Sequence, residues 1–349
     1  DVVGDHPLNL CTTVLSINAY MFSGEQKYRD WTVDYTDAWV ERTEANNGLI
    51  PTNIGLDGTI GGACDGKWYG GVYGWGFSVK VPGSDRIASR PSFQGRAHYG
   101  FGNALLLTGE QRYVDVWRGV IDRMNEGAKE IDGRTMYPRM YGDDGWYEFQ
   151  AEPINPGALE VYTWSMDPKD LERASGNPWI AYLEGNDPDF PVTALEQDLV
   201  SVREKMERMR QDTSTPDTRL SDVMNGMNPA VTQGLTQLML GGVPTGRVGS
   251  LLHCRLRYFD PDRHRAGVPE GVAALVEKMS ADSVTVHLVN LDPVESRRVV
   301  VQGGAYGEHK FVSAEADGET TQVGDSHFTV SLAPGCGSRL VMKMDRYAN

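Results

Sequence analysis

The sequence predicts an α-then-β chain: a toroid of helical hairpins over residues 1–244, followed by an antiparallel β-sandwich over residues 245–349. Three observations predict it. "FSGEQKYRDW" (Phe22 to Trp31) returns as "LTGEQRYVDVW" (Leu107 to Trp117), and Ser/Thr-Gly-Glu is turn and helix-start chemistry, so each copy reads as the tip of an αα-hairpin. Apolar helical segments alternate with charged ones, as inner and outer helices of a layered ring do. Beyond about residue 245 the apolar period changes to two.

The elements follow in order. Residues 8–22 ("LNLCTTVLSINAYMF") are nearly all apolar or small and read as an inner helix. Residues 25–45 carry Glu25, Lys27, Arg29, Asp30, Asp34, Asp37, Glu41 and Arg42 around Trp31 and Trp39, which is an outer helix. The alternation continues with an inner helix at 93–108 and an outer one at 110–129. A short inner helix follows near 156–165, then a charged outer one at 193–211, then an inner one at 229–241. Asn155-Pro156 and Asn228-Pro229 read as N-cap and first-turn pairs. Then "LLHCRLRYF", "SVTVHLVNL", "RRVVVQGG", "HKFVSAEA", "HFTVSL" and "SRLVMKM" read as short strands between Gly, Pro and Asp turns, the spacing of a sandwich. "GGVPTGRVG" (Gly241 to Gly249) reads as the interdomain linker, and "REKMERMR" (Arg203 to Arg210) as a solvated outer face.

Long connections at 46–92, 130–155 and 212–228 all leave outer helices, so hairpin alternation sends them to one end of the ring. Loops of that length in a compact domain are usually functional. The first contains "GGACDGKWYGGVYGWGFSV" (Gly61 to Val79), with Trp68, Tyr69, Tyr73 and Trp75 set among glycines; the second contains "YPRMYGDDGWYEFQAEP" (Tyr137 to Pro153). Sugar rings present apolar C–H faces that stack on Trp and Tyr, whose polar tips also hydrogen-bond. Trp68, Tyr69, Tyr73, Trp75, Arg139, Tyr141, Trp146 and Tyr147 are therefore candidate substrate-binding residues. The plain alternative is a loop packing its own aromatics to hold itself down.

Composition narrows the classes. The chain has 349 residues, 40% hydrophobic and 23% charged, and no apolar run long enough to span a membrane. A net charge of −15 argues against a nucleic-acid backbone as the partner. Cys11, Cys64, Cys254 and Cys336 lie far apart, so no zinc site is expected and buried free thiols are preferred over disulfides. No cofactor is expected: there is no GxSxG, HExxH, Walker or dinucleotide-binding sequence. The start at Asp1, without Met, leaves the compartment unassigned and reads as a processed or truncated chain.

A helical toroid with long loops at one end and a β-sandwich behind it resembles the six-hairpin (α/α) carbohydrate-active enzymes, glycoside hydrolases and toroid polysaccharide lyases. The resemblance implies action on an oligo- or polysaccharide. It also implies six hairpins where three and one further inner helix are visible, and so an N-terminal segment or a partner subunit that completes the ring. No catalytic residue is carried over from it.

Catalytic candidates come from the residues themselves. Glycosidic cleavage commonly uses two carboxyls across the bond, one protonated and one ionised. Asp143, Asp144, Glu148, Glu152 and Glu160 cluster with Trp146 and Tyr147, whose apolar walls would separate the two pKa values. Asp143-Asp144-Gly145 also reads as a simple turn. Asp65 and Asp57 in the first loop are the cross-site partners, and Asp222 in the third is weaker. His98 stands three and seven residues before Phe101 and Leu105 on an inner helix, a general acid/base or else a core histidine. The expectation is a glycoside hydrolase using Glu160, Asp144, Asp143, Asp65 and His98. The alternatives are a lyase abstracting a uronate proton with Tyr141 or His98 beside Arg139 or Arg134, and a non-catalytic glycan-binding or assembly module.

Overall fold

The computed structural model describes residues 4–62, 64–70, 83, 85, 88–89, 96–219, 226–245 and 250–348, and the backbone alone at 88–89. The chain divides into two compact units. One holds 1–174 with 245–251 and residue 349; the other holds 175–244 with 252–348.

The first unit is built on two antiparallel helix pairs, α1 (Thr13–Ser23) with α2 (Gln26–Ala45) and α3 (His98–Thr108) with α4 (Arg112–Asn125). The repeated segments are the turns of these pairs. Gly24 and Gly109 end their helices in the left-handed region at φ 69° and 72°, and the Ser23 and Thr108 hydroxyls each accept from the amide two residues on at 3.1 Å. α3 is buried along its length from Phe101 to Leu107, and α4 lays Tyr113, Trp117, Val120, Ile121 and Met124 inward. Gly100 and Gly102 leave room on α3 for Leu10 and for the Trp164 ring. Two short helices, α5 (Ala158–Ser165) and α6 (Pro168–Ala174), complete the helical part.

Between α4 and α5 the chain forms three strands, joined by a short one that precedes α3. β1 (Ala88–Ser89), β2 (Lys129–Ile131), β3 (Arg134–Gly142) and β4 (Gly145–Gln150) make one antiparallel sheet around the long β3. β3 and β4 form a tight hairpin with Gly142 opposite Gly145 and Tyr141 opposite Trp146.

The toroid expected from the sequence is not what forms. Among the described residues there are nine α-helices, and the strands lie in four sheets; the helices do not close a ring of six hairpins. Three physical reasons account for the difference. Apolar composition made residues 8–22 look like an inner helix, yet α1 buries only Thr13 and Ile17 while Leu15 and Phe22 are 70% and 91% exposed. The expected second long loop alternates inward and outward, so it pairs as a hairpin. The later helices α7 (Pro178–Leu183), α8 (Phe190–Gln211) and α9 (Gln233–Leu240) belong to the strand-rich unit. The Asn-Pro pairs cap no helix: α5 starts after Gly157, and Asn228 makes a local turn by accepting from Ala230 N.

In that second unit two antiparallel sheets face each other. One runs β13-β12-β15-β10-β9 and the other β14-β11-β7-β8. Their strands are β7 (Leu256–Asp260), β8 (Arg265–Ala266), β9 (Val272–Met279), β10 (Ser283–Asn290), β11 (Arg297–Gly303), β12 (Lys310–Ala316), β13 (Glu319–Asp325), β14 (His327–Leu332) and β15 (Gly337–Asp345). Alternate positions supply the core: Val284, Val286 and Leu288 from one sheet, Val299 and Val301 from the other. Phe311 meets Phe328 edge-on across the gap at 5.2 Å. The short ribbon β5 (Gly242–Val243) with β6 (His253–Cys254) follows α9, and α9 packs on β9.

Candidate functional site

The first loop reaches the β3–β4 hairpin through a compact glycine-dependent turn. Gly61, at φ 70°, lets the backbone of Gly66 and Lys67 come so close that a Cβ there would stand 2.6 Å from either. Thr52 then anchors the next stretch of backbone, its amide and hydroxyl donating to Trp68 O and its hydroxyl also to Gly70 O. The glycines thus place Lys67, Trp68 and Tyr69 in one orientation.

Those three side chains meet the hairpin. The Trp68 and Tyr69 rings lie 4.7 Å and 5.1 Å from Tyr141, and Tyr141 meets Trp146 edge-on at 4.8 Å. All four rings are half-buried, so each keeps an open part. At their edge Asp143 Oδ1 accepts from Lys67 Nζ at 2.6 Å and from the Tyr69 hydroxyl at 2.5 Å. Burial, then the hydrogen bond to Asp143, pushes the Tyr69 phenol well above its usual pKa, so it remains a neutral donor. The result is an apolar platform with an ammonium, a carboxylate and a phenol along one side. That combination suits a ligand with C–H faces and hydroxyl rims.

A second cluster lies on the helices. His98 begins α3 and is buried, with rings of Tyr99, Trp117 and Trp164 around it at 4.2, 5.6 and 6.1 Å. Glu160, in the first turn of α5, brings Oε1 to 3.6 Å from His98 Nε2, beyond hydrogen-bond length. Gly157, at φ 73°, seats the imidazole: a Cβ there would be 2.7 Å from His98 Cγ. Tyr99 titrates above its ordinary range, first through burial and then through the Glu160 charge.

Comparison with known proteins adds one match. A family described as "Domain of unknown function (DUF8034)" matches residues 2–137 and 172–236, more than half of the chain. The chain belongs to the DUF8034 family. No curated protein and no solved structure matches it. The DUF8034 ranges take in Lys67, Trp68, Tyr69 and His98, and the segment from Arg139 to Glu160 falls between them.

The remaining candidates separate. Asp144 is exposed in the β3–β4 turn beside Asp143, and Asp65 is exposed in the turn at 64–66 with φ 54°. Asp57 accepts from the Thr59 amide and hydroxyl, bonds that lower its pKa. Arg139 is committed to the hairpin, donating to Gln150 Oε1 and Glu152 O. Tyr147 pairs with buried Met140, and strand alternation turns it to the face opposite Trp146. Tyr73, Trp75 and Asp222 lie outside the described residues. All four cysteines are free thiols.

Two features escape a reading of the sequence. Lys67 completes the polar edge, and no spacing rule marks a lone lysine before Trp68. In the second unit Glu308 and His309 are both buried. Burial pushes Glu308 up to about 7, against the pull of amide donors Tyr306 and Ala305. Burial pushes His309 down to about 4, and its Nδ1 accepts from Tyr347 N. This pair ties the loop after β11 to the segment that follows β15, which is a structural task. Among the described residues no group of three or more His, Cys, Asp or Glu side chains is placed to hold a metal ion, and no helix is long and apolar enough to cross a membrane.

Proposed function

We propose that this chain binds an oligo- or polysaccharide on the face formed by Trp68, Tyr69, Tyr141 and Trp146. One observation carries the reading: two segments more than 70 residues apart converge their aromatic rings beside a hydrogen-bonded Lys67–Asp143–Tyr69 edge. The rings take the C–H faces of the sugar, and the edge exchanges hydrogen bonds with its hydroxyls. A net charge of −15 favours neutral glycans over acidic ones at long range.

Recognition, rather than bond cleavage, is the function the geometry supports. The hydrolase expectation rests on the carboxylates and aromatics of the two loops together with the resemblance, and the ring-completing partner rests on the toroid, which does not form. Asp143 is engaged as an acceptor by Lys67 and Tyr69, and Glu160 sits against the buried His98. A lyase would need a guanidinium released for a uronate; Arg139 is spent on the hairpin, and Arg134 is exposed at the end of β3 remote from Tyr141. The test is a panel of neutral and acidic glycans, read for retention on the protein and for new reducing ends or ultraviolet-absorbing unsaturated products. Retention of a neutral glycan without products supports the proposal. Retention of none overturns it, and product formation overturns the non-catalytic reading.

A further inference from the structure

α8 carries an apolar stripe that remains exposed among the described residues. Along its 22 residues the only buried side chain is Ala194, which with Asp198 lies against Gly234 of α9. Around the helix from that contact, Val192, Leu195, Leu199, Val202, Met206 and Met209 recur at alternating spacings of three and four. Val192, Leu199 and Met209 are 62%, 55% and 49% exposed. This is the seam of a two-helix coiled coil, in which apolar a and d positions meet a partner helix and the e and g positions choose it.

The charges choose a second copy of α8, running antiparallel. Alignment of the two seams sets Val192 opposite Met209, Leu195 opposite Met206 and Leu199 opposite Val202. The flanking positions then bring Glu196 beside Arg203, Asp198 beside Lys205, and Asp189 beside Arg210. Two-fold symmetry repeats each pairing, so all six flanking contacts join opposite charges. A parallel alignment would set Lys205 beside Arg210, a repulsion that antiparallel pairing avoids. Asp198 Oδ2 accepts from Gly234 N at 2.9 Å, which holds that carboxylate in place at the edge of the seam. We propose that two copies of this chain associate through antiparallel pairing of α8.

Sedimentation velocity on the full chain tests this, with far-UV circular dichroism confirming that each variant keeps its helix content. The wild type should sediment at twice the 38.5 kDa chain mass and dissociate on dilution. Leu199→Glu, at an exposed position, should give the monomer. Arg203→Glu sets like charges together at both symmetry-related Glu196 contacts and should raise the dissociation constant about tenfold. Glu196→Arg combined with Arg203→Glu restores opposite charges and should recover the wild-type constant. A wild type that stays monomeric at about 100 μM overturns the proposal, because a seam that weak has no role. So does a dimer indifferent to Leu199→Glu. Failure of the double variant to recover overturns the antiparallel register.

Discussion

Asp170 is the charge on which the helical part of the first unit turns, and its removal should be the most damaging single polar substitution there. The carboxylate, in the first turn of α6, is fully buried. It accepts from Arg118 Nε and Nη2 of α4 at 2.8 and 2.6 Å, from the Ser165 hydroxyl at the end of α5 at 2.6 Å, and from Arg173 Nη1 at 3.2 Å. Burial would raise its pKa, but the Arg118 and Ser165 bonds and the two guanidinium charges outweigh that and hold it below the usual carboxylate value. Asp170→Ala strands both guanidinium groups. Removing one partner of a buried ion pair costs roughly 3–5 kcal/mol. Arg118 and Arg173 are 21% and 22% exposed and keep Asp115 and Asp122 as partners, so part of their charge is re-solvated. The expected loss is therefore about 3 kcal/mol, the lower end of that range. Asp170→Asn keeps acceptor capacity and should lose about half as much. Urea unfolding followed by tryptophan fluorescence measures this, since Trp117 and Trp164 are buried in the same helices. The sign of the pH dependence comes from a depressed folded-state pKa. The stabilisation is complete above the unfolded carboxylate range and is lost as pH falls through the folded value, so parent and variant should converge in acid. A loss below about 1 kcal/mol at neutral pH, the scale of an exposed pair, would refute the reasoning.

Other outcomes rest on the same geometry. Burial pushes Glu308 up to about 7 from 4.5, so its own contribution to the second unit is full below about pH 4.5 and falls by up to about 3 kcal/mol as pH rises to about 7, while buried His309, pushed down to about 4, acts in the opposite sense in acid. Thermal melts of Glu308→Gln should lack that dependence; a variant with the parent's pH profile would exclude Glu308 as its source. Gly102→Ala puts a Cβ 2.3 Å from the Trp164 ring and should cost about 1–3 kcal/mol, seen as a lower unfolding midpoint; an unchanged midpoint would show that Trp164 shifts without strain.

Legibility differed sharply between parts of the chain. The hairpin turns at Gly24 and Gly109 were readable because Ser/Thr-Gly-Glu is local chemistry whose hydrogen bonds close within a few residues. The convergence of Trp68 and Tyr69 with Tyr141 and Trp146 is expected from hairpin alternation in a ring, and it occurs without the ring, through the Gly61 turn and the β3–β4 hairpin. The ring closure was not. Whether "TVLSINAYMFS" is buried depends on what packs against it, and composition cannot distinguish an inner helix from an apolar one left exposed at Leu15 and Phe22. Likewise "RTMYPRMYG" reads as part of a long connection once the flanking segments are read as outer and inner helices of a ring, while its alternation makes it the central strand of a sheet. Lys67 and Glu308 gain their roles only from partners distant in sequence or held in a tight loop, and no periodicity signals them.

The central claim is that the aromatic face recognises a sugar, and isothermal titration calorimetry with the best-retained neutral glycan tests it most directly. The comparison sets the parent chain against Trp68→Ala, Trp146→Ala and Trp31→Ala, the last an exposed tryptophan stacked on Tyr35 of α2 and outside the face. Loss of an aromatic at the centre of a binding surface costs about 2 kcal/mol, so Trp68→Ala and Trp146→Ala should each weaken binding about thirtyfold while Trp31→Ala binds like the parent. Equal affinity in all four proteins would contradict the account.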